Sequence, residues 1–186
     1  CMVGTDSRAD GGIFLRNISV DEFDAVYDIM ENSFPDDEYR SYCGQKMLFS
    51  KPEYDIYVVD GDDSTLRAFV SVWDFDNFAY IEHLAVNPAC RNAGIGASIL
   101  AAVKEKAGKR ICLEVELPEN DIARRRIGFY TRNGFSLNEY HYIQPPMSAG
   151  KNPVPLLIMT TDGAVDEKEF EYIKDKLYEK VYNVHQ

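Results

Sequence analysis

A carboxylate, a phenol and a glycine-bearing turn are the groups in this chain whose types and spacing could do chemistry. The turn lies in Tyr80 to Gly96, YIEHLAVNPACRNAGIG. Phe78 to Val86 is rich in aromatic and β-branched residues and stops at Asn87-Pro88, which predicts a buried strand ending in a turn. Ile95, Ile99, Leu100 and Val103 then recur at helical spacing, with Gly94 and Gly96 where that helix begins. Strand, turn and helix start together leave backbone N–H groups free at the positive end of a helix dipole, an arrangement that suits an anion. A dinucleotide fingerprint is excluded because Ile99 takes its last glycine place, and no G-x-x-x-x-G-K-S/T is present. What stands instead is Arg91-x-x-Gly94-x-Gly96. The carboxylate, Glu82, sits in the middle of the hydrophobic strand, where it must be paired or reach water. Strict alternation predicts Tyr80, Glu82 and Leu84 on one face and His83, read as a core imidazole, on the other. Two roles for Glu82 follow: a general base, directly or through a water, or a carboxylate bound to a neighbouring Arg or to backbone. The phenol, Tyr130, is either a proton donor or an aromatic of its helix's core.

The run Arg91-x-x-Gly94-x-Gly96, preceded by Leu84-Ala85-Val86-Asn87-Pro88, resembles the acyl-coenzyme-A signature of the Gcn5-related N-acetyltransferases (GNAT). Phe129 to Phe135, FYTRNGF, is similar to that family's Y-x-x-x-G-F ending, and Asn120 with Ala123 resembles its N-x-x-A helix start. The resemblance covers roughly Ile13 to Thr160. It implies an acetyl-coenzyme-A-dependent transfer to a primary amine, with Glu82 as base and Tyr130 at the thioester sulfur. Coenzyme contacts are then implied at Leu84, Ala85 and Val86 on the strand, at Arg91, Asn92, Ala93, Gly94, Ile95, Gly96 and Ala97 around the turn, and at Asn120, Arg126 and Tyr130. Tyr130 falls seven residues after Ala123 where the family pattern has four. Three extra residues are nearly one helical turn, which keeps Tyr130 on the same face; alternatively, Asn120 is not the equivalent position.

The chemistry demands similar parts on its own terms. An alkylammonium near pKa ~10.4 is neutral only about once in a thousand molecules at pH 7.4, so a base must take its proton. A tyrosine hydroxyl can then supply a proton to a departing thiolate without adding charge. Four cysteines, Cys1, Cys43, Cys90 and Cys112, lack C-x-x-C spacing, so neither a zinc site nor any other metal is expected. No convincing Cys–His pair stands ready for a covalent acyl step, so direct transfer in a ternary complex is expected. The rival is a non-catalytic acyl-coenzyme-A sensor that keeps the anion nest without a competent base. For the acceptor, Trp73 and Asp74 suggest an aromatic and acidic floor for a cation, with Tyr80 and His141 beside it. Acceptor classes from a small amine to a peptide lysine remain open.

The positioning elements read as follows. Expected strands are Ile13 to Ile18, Tyr54 to Val59, Leu66 to Trp73, Phe78 to Val86, Arg110 to Leu117, Phe135 to Ile143 and Val154 to Thr160. Expected helices are Val20 to Ser33, Tyr39 to Phe49 with Asp36-Asp37-Glu38 at its positive end, then Ile95 to Ala107, Asn120 to Asn133, and Asp166 to Tyr182. Strands before and after each helix, with hairpins at the front, imply an α+β fold: a mixed, mostly antiparallel sheet with helices on both faces. The domain is placed at 13–160, with 161–186 a helical appendage packed on it and 1–12 a tag remnant or loose terminus. At 186 residues this suits one domain. The net charge of −11 argues against nucleic acid, and basic residues for an anionic coenzyme are sought at Arg91, Lys104, Lys106 and Arg124-Arg125-Arg126. No apolar run is long enough for a membrane span, and no membrane partner and a cytoplasmic location are expected. The Tyr-rich last helix could cover its own domain or a second copy in a homodimer.

Overall fold

The structure, a computed structural model, describes residues 12–91 and 93–184. The expectations for 1–12, Gly12 apart, and for Asn92 lie outside the described residues. Seven strands form one sheet: β1 (Arg16–Asn17), β2 (Tyr54–Asp60), β3 (Leu66–Asp74), β4 (Phe78–Val86), β5 (Arg110–Glu116), β6 (Phe135–Gln144) and β7 (Val154–Thr161). Their order is β1-β2-β3-β4-β5-β7-β6, antiparallel throughout except between β4 and β5. Two helices, α1 (Phe23–Ser33) and α5 (Glu167–Lys180), bury Phe23, Val26, Met30, Phe170, Ile173 and Leu177 against one face. On the other face, α3 (Ile95–Ala107) buries Ile95, Ile99, Leu100 and Val103, and α4 (Asp121–Arg132) packs Ile127, Phe129 and Tyr130. The expected α+β architecture is therefore present, and α5 shares its core with α1.

Three local expectations change. The first strand is short: only Arg16 and Asn17 pair, with Val58 and Tyr57. The expected second helix is reduced to α2 (Tyr42–Met47), capped by Ser41. Asp36–Glu38 does not open it but forms a separate 3₁₀ turn, because Tyr39 is extended (φ −141°, ψ 160°) and breaks the helical path.

The largest change lies in β4. Ser71 pairs with His83 and Val72 with Ile81, so Glu82 is the extra residue of a β-bulge. The bulge is held by the His83 N–H, which donates to Ser71 Oγ at 3.0 Å. One extra residue resets the alternation, so Tyr80 joins the α1 face while Leu84 packs with the α3 face. His83 does not face away from Glu82: its ring packs on Phe34 at the edge of the α1 face.

Candidate active site

Just beyond the bulge the sheet opens. The parallel pairing of β4 with β5 runs from Phe78 and Arg110 to Ile81 and Leu113 and goes no further. From Glu82 onward the β5-facing edge of β4 has no strand partner, while β5 continues to pair with β7 as far as Glu116. Two cavities occupy the opening.

The first, about 430 Å³, is a groove lined by Leu84, Val86, Arg91, Gly94, Ile95, Gly96, Ala97 and Phe129, among others. Asn87 caps a short turn, Pro88–Cys90, and Gly94 then starts α3 in the left-handed region (φ +71°) that glycine tolerates. The first helical bond runs from the Ser98 N–H to the Gly94 carbonyl at 3.1 Å. The N–H groups of Ile95, Gly96 and Ala97 precede it, and none donates to a described residue of the helix or turn. A Cβ on Gly96 would meet Phe129 Cζ at 3.1 Å, so the glycine lets α4 close the groove against α3. Arg91 and Arg126 are the basic side chains that line it. Lys104, Lys106 and Arg124 are engaged elsewhere: on the Asn133 carbonyl, over the Tyr57 ring, and on Asp121 with the Pro118 carbonyl. Asn120 does not line the groove; its Oδ1 accepts from the Ala123 N–H at 2.8 Å and caps α4.

The second cavity, about 280 Å³, lies on the other side of Tyr130 from the groove and is termed the acceptor-side cavity for the role proposed for it; it is lined among others by Glu38, Tyr80, Glu82, His83, Glu114, Glu116 and Gln144. Leu84, Val86, Arg91, Arg126 and Tyr130 line both spaces and form their common wall. Burial raises the Tyr130 phenol above its ordinary value despite nearby Arg126, so it stays protonated at neutral pH. Glu82 Oε1 accepts from Arg40 Nη1 at 2.7 Å, with the carboxylate side chain only 1% exposed. That is the Arg-bound arrangement for Oε1; Oε2 is buried without a hydrogen-bond partner among the described residues, 3.6 Å from His83 Nδ1. Arg40 in turn donates to the Val181 carbonyl at 2.9 Å, tying the segment after α5 to the site. His83 donates through Nε2 to the Glu38 carbonyl (2.8 Å), since a carbonyl can only accept. Burial holds its imidazole below the ordinary value, so it is neutral. Glu114 accepts from Tyr182 at 2.7 and 2.8 Å and from Tyr142, yet burial pushes its carboxyl up to about 7. Burial and the Glu116 carboxylate push Glu38 up to about 7 against the pull of Arg126.

Sequence reasoning missed Glu38, Arg40 and Glu114. The raised Glu38 follows from its long-range surroundings, and its acidic triplet looks in sequence like a helix start. Three expected acceptor contacts are not brought here. Trp73 is 1% exposed in the core between Tyr54 and Phe75, and Asp74 pairs with Lys109 at the closed end of the sheet. His141 is exposed on β6, away from the cavity lining. Tyr80 does line the cavity, its hydroxyl 3.2 Å from that of Tyr182.

The sequence profile of the acetyltransferase (GNAT) family matches residues 15–135. This chain belongs to the GNAT acetyltransferase family. YjbC, a proposed acetyltransferase of Bacillus subtilis (strain 168), is 32% identical over 111 residues, which are 59% of this chain and 55% of YjbC, so the match spans about half of that relative. A proposed GNAT acetyltransferase from Bacteroides thetaiotaomicron superposes with a TM-score of 0.81 at 36% identity, over 93% of this chain and all of that one. A variant of spermidine N-acetyltransferase SpeG from Vibrio cholerae gives 0.59 at 13% identity over 81% and 94% of the two chains, a likeness of fold alone. No helix among the described residues is long and apolar enough to cross a membrane, and no described cluster of His, Cys, Asp or Glu could hold a metal ion. In this GNAT chain the groove beside α3 is therefore the place to test for a coenzyme.

Proposed function

We propose that the chain is an acetyl-coenzyme-A-dependent N-acetyltransferase that passes the acetyl group directly to a primary amine in a ternary complex. One observation carries the reading: β4 and β5 part after Ile81 and Leu113, and the groove below α3 meets the acceptor-side cavity at Tyr130 and Arg126. The residues fit the coenzyme. The amides of Ile95, Gly96 and Ala97, which donate to no described residue, with Arg91 nearby, suit a diphosphate, and the unpaired edge of β4 from Glu82 to Val86 suits an extended, amide-bearing arm. When bound, the coenzyme supplies an acetyl thioester.

The chain's own groups supply the rest. Tyr130 holds a proton on its hydroxyl at the junction of the two spaces, where a departing sulfur would need it. Arg126, on the same wall, contributes positive charge to both spaces. Cys90 lines the groove without a described histidine beside it there, which favours direct transfer over a covalent acyl-cysteine.

The Arg40–Glu82 pair favours a second reading, a sensor that binds the coenzyme without turnover, because the expected base is occupied. Calorimetry with coenzyme A, followed by thiol release from acetyl-coenzyme A over a panel of primary amines, separates the two. Binding with amine-dependent thiol release is expected. Binding without release for any amine leaves the sensor, and equal affinity for adenine nucleotides lacking the pantetheine arm overturns both.

A further inference from the structure

The acceptor-side cavity holds a carboxylate that the reading above does not use. Glu38 ends the Asp36–Glu38 turn, and its main chain is fixed on each side. Its N–H donates to the Pro35 carbonyl at 2.9 Å, its carbonyl accepts His83 Nε2–H at 2.8 Å, and the Asp37 carbonyl before it accepts Gln144 Nε2–H at 3.1 Å. Its side chain accepts no hydrogen bond among the described residues. Of the other carboxylates lining the cavity, Glu114 is held by Tyr142 and Tyr182, Glu116 faces Arg126 at 3.6 Å, and Glu82 gives Oε1 to Arg40 while its Oε2, without a hydrogen-bond partner among the described residues, is buried beside His83. A pinned backbone thus presents a free carboxylate to the space that also holds Tyr130.

We propose that Glu38 is the general base that takes a proton from the acceptor amine, with His83 the positioning residue that fixes the turn carrying it. This rests on the acetyltransferase reading. The Glu38 carboxylate removes one of the three ammonium protons. The nitrogen pair so freed forms the C–N bond as the C–S bond of the thioester breaks, and the thiolate leaves with the proton of Tyr130. The second proton shed by the nitrogen restores Tyr130, the third stays on the amide, and the proton on Glu38 passes to solvent. The groups that face Glu38 are Glu116 from β5, which raises its carboxyl, Arg126 from α4, which lowers it, and neutral His83 from β4 at its carbonyl. With burial added, the carboxyl titrates at about 7, near the pH at which a base works best.

The test compares kcat and pH profiles of the wild type, Glu38→Gln and Glu38→Asp. Wild-type turnover is expected to rise with pH through about 7. Glu38→Gln is expected to lose that limb and about 100-fold or more in kcat, with coenzyme affinity intact and partial recovery in Glu38→Asp. Removing the donor with His83→Leu should lower kcat and shift the limb, and His83→Gln, which keeps a donor, should restore part of both. Glu38→Gln with near-wild-type kcat and the limb in place overturns the base, and His83→Leu with an unchanged profile overturns its positioning role. Carboxyl carbon NMR of the free protein decides separately from turnover. A resonance titrating near 7 and absent from Glu38→Gln is expected, whereas a Glu38 midpoint near 4.5 overturns the base even if no amine supports thiol release. Loss of thiol release in the wild type with every amine would instead remove the acetyltransferase reading.

Discussion

The two cavities meet at Tyr130 yet are built by opposite means. Besides the side chains of Arg91, Arg126 and Tyr130 on the wall it shares, the groove takes its polar groups from main chain, at one turn and one helix start contiguous in sequence, with glycines keeping the space open. The acceptor-side cavity takes its polar groups from side chains of distant segments: Glu38 from a turn, Glu82 and His83 from β4, Glu114 from β5, Arg126 from α4 and Gln144 from β6. A site of backbone amides tolerates most neighbouring substitutions because every residue carries the same donor. A site of buried charges depends on each partner, since removing one strands the other.

Arg40 should show this contrast most strongly. Arg40→Met leaves the Glu82 carboxylate, 1% exposed, without its cation, and stability should fall by about 3–5 kcal/mol in denaturant unfolding. Replacing both members, Arg40→Met with Glu82→Leu, should recover most of that loss. Coenzyme binding, measured on the folded variants, should stay as in the wild type. A single variant losing less than about 1 kcal/mol would mean the pair is solvated and the two cavities are not so different.

Titration sharpens the same contrast. The groove lining includes no carboxylate, whereas Glu38 and Glu114 in the other cavity are pushed up to about 7. Between the ordinary carboxylate value and 7 the folded chain holds protons that the unfolded chain has released, so stability should fall as pH rises through that window. Glu22 works in the opposite sense: Arg16 and the Ser19 N–H hold it at about 2, so its stabilisation is lost only as pH falls toward that value. The unfolding midpoint should therefore drop from pH 5 to pH 8. Glu114→Gln should flatten the slope, by at most about 1.4 kcal/mol per pH unit inside the window. A wild type with no slope, or a variant that keeps all of it, would place these carboxylates in water.

On the groove side the corresponding intrusion is steric. Gly96→Val puts carbon where Phe129 Cζ lies 3.1 Å from the Cβ position, and crowding of this kind costs about 1–3 kcal/mol. The strain falls where the amides are displayed, so coenzyme affinity should drop about tenfold, the equivalent of about 1.4 kcal/mol. Adding Phe129→Leu should return part of it. Calorimetry on the pair checks this, and unchanged affinity in Gly96→Val would show that the close approach of α3 and α4 does not shape the groove.

The contrast also explains what could be read from the sequence. The bounds of β4, the end of α3 at Gly108 and the glycines of the turn are local matters of period and backbone freedom, and they stand where expected. The family and the α+β layering follow from those same local patterns. The bulge at Glu82 was not legible, because alternation assumes an unbroken pleat and the break depends on Ser71 of the neighbouring strand. Arg40, 42 residues before its partner, has no spacing that announces it. Glu38 looked like a charge at a helix start because nothing in Asp36-Asp37-Glu38 itself shows that Tyr39 turns extended.

The smallest effect is expected where an aromatic and acidic segment suggested a cation floor. Asp74 pairs with Lys109 at 2.5 Å, with 61% of its side chain exposed, at the end of the sheet where β4 and β5 are still joined. An exposed pair of this kind is worth about 0.5 kcal/mol, and salt screens it further. Asp74→Ala should change the unfolding midpoint barely and the KM for any amine not at all, because no group of the acceptor-side cavity depends on it. A clear rise in amine KM would carry acceptor binding across to the closed end of the sheet, and the division between a main-chain groove and a side-chain cavity at its open end would then be wrong.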